Sequence, residues 1–290
     1  MLSGNLVAAF ARRRIPVATA VFGALLAMPA IAGAVTVTPS AVYINAKTRS
    51  GSVTLINTGT RAEDIEISFA FGYPQVDSRG VVTVPISDIA PDSEPSAMAW
   101  LRPFPRRIHL APGQRQVVRI IAEPPANLAP GEFWARMLIK SRGAQAPVEQ
   151  QTDQVKTRID IETIVTTAVS YRNGDVSTDL DVAQQGAAPA DSAVSLNLDL
   201  HRKGNAAFIG HMHAELMNPS GAKVSELDED IAIYRAMPRR FVIQVPADKR
   251  PRSWDGYTVR YTIDTDRPDL PPGSTLPAAV KRGQLPVRPS

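Results

Sequence analysis

Apolar and polar residues alternate with a period of two along much of this chain. Ile65, Ile67, Phe69 and Phe71 alternate with Asp64, Glu66, Ser68 and Ala70, and Leu196, Leu198 and Leu200 with Ser195, Asn197 and Asp199. Such alternation puts apolar side chains on one face of a strand and polar ones on the other. The pattern predicts further strands over 41–46, 52–58, 81–85, 105–110, 115–122, 132–141, 155–171, 176–183, 206–217, 229–235, 240–245 and 256–264. Turn chemistry separates them, at Asn57-Thr58-Gly59, Asp77-Ser78-Arg79-Gly80, Ala111-Pro112-Gly113, Asn173-Gly174, Pro219-Ser220-Gly221 and Asp255-Gly256.

Many short strands with regular turns, and no long amphipathic helix, predict an all-β chain of two immunoglobulin-like β-sandwich domains. The polar, aperiodic stretch 142–154 reads as a mobile loop. The strand after it is unusually long and ends at Tyr171-Arg172-Asn173-Gly174, where the domain boundary is expected. This gives domains over 35–172 and 173–266, with roughly seven strands each, the number in a constant-type sandwich. From Arg267 onward Pro268, Pro271, Pro272, Pro277, Pro286 and Pro289 interrupt any period, so 267–290 reads as a disordered or extended tail.

The first 34 residues change the reading of charge and compartment. Arg12, Arg13 and Arg14 precede an uncharged apolar run from Ile15 to Ala30, and Ala32-Gly33-Ala34 closes it with small residues, Ala30-Ile31-Ala32 being the other candidate. This is the layout of a cleaved secretion signal, with the cut placed after Ala34. A membrane anchor is the alternative, but the run is short of the ~20 residues that span a bilayer. Removing the three arginines from 32 basic residues leaves 29 against 28 acidic ones. That near-neutral balance offers nucleic acid little attraction. Without cysteine there is no disulfide, thiolate metal site or cysteine nucleophile, so an exported chain relies on its cores.

No catalytic constellation is present: no Gly-x-Ser-x-Gly elbow, no His-Glu-x-x-His, no phosphate-cradling glycine loop. The chain is therefore read as non-enzymatic, with no cofactor and no small-molecule substrate. His211 and His213 lie two apart on one strand face, as a metal site could require. Only four histidines exist and no third ligand is evident, so a polar strand face is expected and no metal is assigned. Arg102, Arg106, Arg107, Arg115, Arg119, Arg136, Lys140 and Arg142 form either a solvated sheet face or a basic face for a partner.

Several runs, in order, resemble the periplasmic pilus-assembly chaperones of the chaperone–usher pathway (PapD-like), especially the branch serving non-classical pili. They are Ser50–Gly59, Pro105–Gln114 leading into Gln116–Ile120, Leu128–Trp134, Leu198–Asn205 and Ile231–Tyr234. Read by itself, 155–171 is an ordinary strand whose apolar face covers its own core. The resemblance implies instead that it is lent to a pilus subunit lacking its last strand, with Ile159, Ile161 and Thr163 at the donor positions. It implies further that Arg172, with acids Glu132 and Asp264, joins the domains. One feature of the family is missing. Its members anchor a subunit carboxylate with two basic residues, whereas the matching places here are Ser40 or Ala41, and Ala168. The implied partners are pilus subunits and an outer-membrane usher; the alternative role is a secreted structural or adhesin component of a surface fibre. Protein released from the periplasm is expected to begin at Val35 by intact mass; a full-length mass would contradict the cleavage.

Overall fold

The structure, a computed structural model, describes residues 35–143, 148–152, 155–159 and 161–288. The first part of the chain forms β1 (Val35–Thr38), β2 (Ala41–Asn45), β3 (Ser50–Asn57), β4 (Glu63–Ala70), β5 (Gln75–Val76), β6 (Val82–Thr83) and β7 (Leu101–Phe104). There follow β8 (Arg107–Leu110), β9 (Arg115–Ala122), β10 (Gly131–Arg142), β11 (Val148–Thr152), β12 (Val155–Ile159) and β13 (Glu162–Asn173). The second part forms β14 (Thr178–Ala190), β15 (Ala193–Gly204), β16 (Phe208–Met217), β17 (Lys223–Ile233), β18 (Met237–Gln244), β19 (Thr258–Asp264) and β20 (Lys281–Pro286).

Two sandwiches result. In the first, a sheet ordered β1-β3-β9-β7 faces one ordered β2-β13-β10-β4-β8. In the second, β14-β15-β18 faces β17-β16-β19-β20. The alternation read in the sequence sets which face is buried. Ile65 and Ile67 of β4 join Val53, Leu55, Val118, Ile120, Met137 and Ile139 in the first core, and Phe69 packs against it. Leu196, Leu198 and Leu200 of β15 join Phe208, Met212, Phe241 and Ile263 in the second. The turn after β3 is held by Asn57, fully buried, whose amide donates to the carbonyls of Arg61 and Leu110 at 2.7 and 2.8 Å. Its oxygen accepts the Gly59 N–H at 2.9 Å, so the buried amide is satisfied on both sides.

β10 is buried on both faces, which is why Phe133–Ile139 is almost continuously apolar. Ala135, Met137 and Ile139 face the first core, while Trp134 belongs to a third cluster with Phe71, Ala207, Ile209 and Tyr234. That cluster joins the sandwiches. Tyr73 stacks on Tyr234 at 5.7 Å and Trp134 meets Tyr234 edge-on at 5.0 Å. Arg235 pairs with Glu94 at 2.6 Å across the same seam.

Four sequence expectations are corrected. The stretch 142–154 contains β11, which pairs antiparallel with β12, so it includes a hairpin arm. The strand expected over 155–171 is two strands, β12 and β13. The strand expected over 81–85 shrinks to β6, paired with β5 alone. The proline-rich segment after Arg267 is folded in: β20 pairs with β19 from Thr258↔Pro286 to Ile263↔Lys281, and Val287 is buried in the second core. Proline spacing concealed this strand because β20 has only one strand neighbour in the sheet, and an edge position tolerates Pro286. Deleting residues 281–290 should therefore lower stability by at least about 2 kcal/mol, from Val287 burial alone. An unchanged urea midpoint would show that the segment adds nothing to the sandwich.

Candidate functional site

β13 reads Glu-Thr-Ile-Val-Thr-Thr-Ala-Val-Ser-Tyr-Arg-Asn, a run rich in β-branched residues and free of proline and glycine. One edge pairs with β10 over its whole length, from Arg142↔Glu162 to Gly131↔Asn173, without a bulge. The other edge pairs in parallel with β2, but only from Ala168 to Arg172. The chain switches sheets between β1 and β2, so β2 begins too late to reach higher.

The alternation of backbone groups identifies the uncovered atoms. The N–H of Ala46 donates to the carbonyl of Arg172 at 3.1 Å, so even-numbered residues of β13 address the β2 side. Beyond Ala168 the same side carries the N–H and C=O groups of Thr166, Ile164 and Glu162. Among the described residues no strand pairs with this edge.

Side chains alternate correspondingly. Thr163, Val165 and Thr167 lie opposite Ser141, Ile139 and Met137 on the core face. Val165 packs against the first core, Thr163 is half-buried, and Ile161 is 42% exposed. The core-facing column thus runs out past the end of the core. Of the three expected donor residues, Thr163 falls on this column and Ile161 immediately precedes β13. Ile159 ends β12, and its side chain lies outside what the structure describes. The sequence reading missed Ile164, 50% exposed on the opposite face beside Lys140. Its signal was present in the consecutive Ile164-Val165, which breaks strict alternation.

Ion pairs run across the outer face of this sheet, from β13 to β8. Arg142 meets Glu162 at 2.8 Å, His109 meets Asp64 at 2.7 Å, and Arg106 and Arg107 approach Glu66 at 3.7 and 3.5 Å. At Arg106, Arg107 and Arg142 the basic cluster of the sequence is a solvated, mixed-charge sheet face.

The lower end of β13 carries Arg172. Its Nε donates to Glu132 Oε2 at 2.8 Å, and Glu132 Oε1 accepts from Ser170 Oγ at 3.2 Å. The Glu132 carboxylate is wholly buried and Arg172 nearly so. Both residues belong to the first sandwich, as directly opposed residues of β10 and β13. The reach to the second half is made by the other guanidinium nitrogens, which donate to the carbonyls of Gly273, at 3.1 Å, and Ser274. Arg172 also lies over the Tyr43 ring at 4.6 Å. Burial, with Tyr234 and Glu132 close by, pushes the Tyr43 phenol well above its ordinary range, so it stays neutral. Asp264, expected as the second acid, does not join this set. β19 places it opposite His211, and its carboxylate accepts the Asp266 N–H at 3.0 Å. The Gly273 and Ser274 carbonyls occupy the place the sequence reading gave to its carboxylate.

Beside Arg172 lies a cavity of 390 Å³ lined by Ala41, Tyr43, Ser52, Pro271 and Ser274. Ala41 and Ala168, where the resemblance would put basic residues, are in register with each other. Arg136 stands opposite Ala168 on β10 and donates through Nε to the Gly72 carbonyl at 3.0 Å.

No family model and no curated protein matches the chain. In fold it is similar to solved fimbrial and pilus chaperones. The class 5 fimbriae chaperone CfaA is 12% identical with a TM-score of 0.44, over 87% of this chain and 98% of that one. The CupB2 chaperone of Pseudomonas aeruginosa is 10% identical with a TM-score of 0.42, over 87% and 100%. The CsuC–CsuE chaperone–tip adhesion subunit complex of Acinetobacter baumannii gives 12%, a TM-score of 0.38, and 71% and 89%. The likeness is one of chain course; what the site can do follows from the edge and the cleft themselves.

Arg172→Ala would leave the Glu132 carboxylate buried without its cation, and should cost about 3–5 kcal/mol in urea denaturation. Adding Glu132→Gln should restore part of the loss. A loss below about 1 kcal/mol would make the pair a bystander.

Proposed function

We propose that this chain is a periplasmic chaperone that holds pilus subunits by lending them β13, and passes them to an outer-membrane usher. The observation that carries this reading is the uncovered edge over Glu162–Thr167. Open edges are normally blunted by lysine, proline, a bulge or a covering loop. Here the six residues hold one charge, Glu162, already paired with Arg142, and neither proline nor bulge. Such an edge supplies main-chain hydrogen bonds to an added strand, and its alternate side chains supply specificity. Ile161 and Thr163 would fill the groove of a subunit that lacks its own last strand, with Ile159 assigned as the third donor residue. The role of Arg172 and Glu132 is to hold the angle between sandwiches, the carbonyls of 273 and 274 standing in for Asp264.

The subunit's terminal carboxylate requires a cation in the cleft. With Ala41 and Ala168 in the expected places, we assign that role to Arg136, one strand over from Ala168. A role as a fibre component draws no support from the C-terminal segment, because β20 pairs within its own sandwich.

The test separates donation from core packing. Ile161→Asp alters a half-exposed side chain, so the free protein should melt within the ±0.5 kcal/mol usual for surface changes. Each buried isoleucine in the complex contributes about 1.5–3 kcal/mol, and a carboxylate there has no partner. Recovery of the co-expressed subunit from periplasm should therefore be lost with Ile161→Asp, and with Ile159→Asp. A collapsed melt would return the segment to the chain's own core, and normal recovery would move the binding site elsewhere.

A further inference from the structure

On the outer face of the second sandwich, far along the chain from the open edge, β16 and β17 carry three cross-strand pairs in succession. They are His211↔Asp230, His213↔Asp228 and Glu215↔Glu226. Met212, Ala214 and Leu216 between them are fully buried, which fixes the charged members on the solvent side. The sequence reading set the two histidines aside because no third ligand was evident. Glu215 lies two residues beyond His213 on the same strand, and strand pairing brings Glu226 opposite it.

We propose that His213, Glu215 and Glu226 form a binding site for one divalent transition-metal ion of the zinc class. Three observations carry this. The ligand atoms of these three residues already lie within 4.8 Å of one another. A common ion at ordinary bond lengths would hold them about 3.3–3.5 Å apart, within reach of small side-chain rotations.

The second observation is the orientation of the imidazole. Asp228 Oδ1 lies 2.8 Å from His213 Nδ1, and Glu215 Oε1 lies 3.7 Å from His213 Nε2. A carboxylate on Nδ1 holds the proton there and turns the Nε2 lone pair toward the two glutamates. This is the supporting contact that metal-binding histidines characteristically have. Asp228 also meets His211 Nε2 at 3.1 Å, and His211 Nδ1 meets Asp230 at 2.9 Å, so the support is itself braced.

The third is charge. Glu215 and Glu226 are directly opposed, and like charges in that position repel. A cation relieves that repulsion, and Lys223 Nζ sits between them, at 2.6 Å from Glu226 and 3.6 Å from Glu215. Lys223 is at the start of β17, where the register shifts, on a flexible and half-exposed stem. It can swing out and leave both carboxylates to a divalent ion, with water in the fourth place. One imidazole and two carboxylates suit zinc, copper or nickel; calcium and magnesium take all-oxygen sites with more ligands.

Zinc titration calorimetry on the full mature chain tests this, with calcium as control. Wild-type protein should bind one Zn²⁺, and the melting temperature should rise with it. His213→Ala and Glu226→Gln should each weaken binding at least tenfold, and Asp228→Asn by 10–100-fold. Lys223→Met, which removes the competing ammonium, should tighten it. Absence of saturable zinc binding would overturn the site. So would binding unchanged by His213→Ala, binding unchanged or weakened by Lys223→Met, or calcium bound as tightly as zinc. Subunit recovery is a separate readout, so either proposal can fail alone.

Discussion

Arg172 sits where three pieces of chain meet. It pairs with Glu132 on β10, covers Tyr43 on β2, and reaches the Gly273 and Ser274 carbonyls on the way to β20. A guanidinium suits this place because its planar, fixed donors serve several acceptors at once. The pair is not a source of stability in itself: desolvating two charges consumes most of what their attraction returns. What it fixes is geometry. The last turn of β13, the strand that covers its lower edge and the segment that closes the second sandwich are held to one another. The aromatic seam of Tyr73, Trp134 and Tyr234 then closes over the same side of β10.

The open edge is the other consequence of that anchoring. β13 is fixed at its lower end by β2 and along its length by β10, so among the described residues its upper half stands extended without a strand on the second side. Its backbone groups there are already in strand geometry. An incoming strand would therefore meet ordered donors and acceptors and lose less in entropy than with a flexible donor. The apolar column leads the same way. Val165 is seated on the first core, Thr163 is at its margin and Ile161 has left it, so an added sandwich would continue a core already begun.

Much of the fold was legible because period two needs no tertiary knowledge. β4 and β15 bury the residues their alternation singles out. Glu132 and Arg172 were placed by resemblance, and cross-strand register brings them together. Legibility failed where tertiary context overrides local pattern. β20 is hidden by Pro286 and by a glycine at its centre, and only its neighbour β19 makes it a strand. The break between β12 and β13 falls in Arg158-Ile159-Asp160-Ile161-Glu162, where the period-two alternation carries straight through. Asp264 was assigned from strand identity alone, without the register that puts it opposite His211. Glu226 could not be linked to His213, because that proximity arises from pairing between β16 and β17.

The most direct measurement of the central claim is residue-resolved amide hydrogen exchange on β13, free and with bound subunit. In the free protein the amides of Glu162, Ile164 and Thr166, which face the uncovered edge, should exchange rapidly, while those of Val169 and Tyr171 remain protected with the core. Subunit binding should protect 162, 164 and 166 and leave 169 and 171 unchanged. Protection of the first three in the free monomer, or none on binding, would contradict the account, because the edge would then be already covered or never lent.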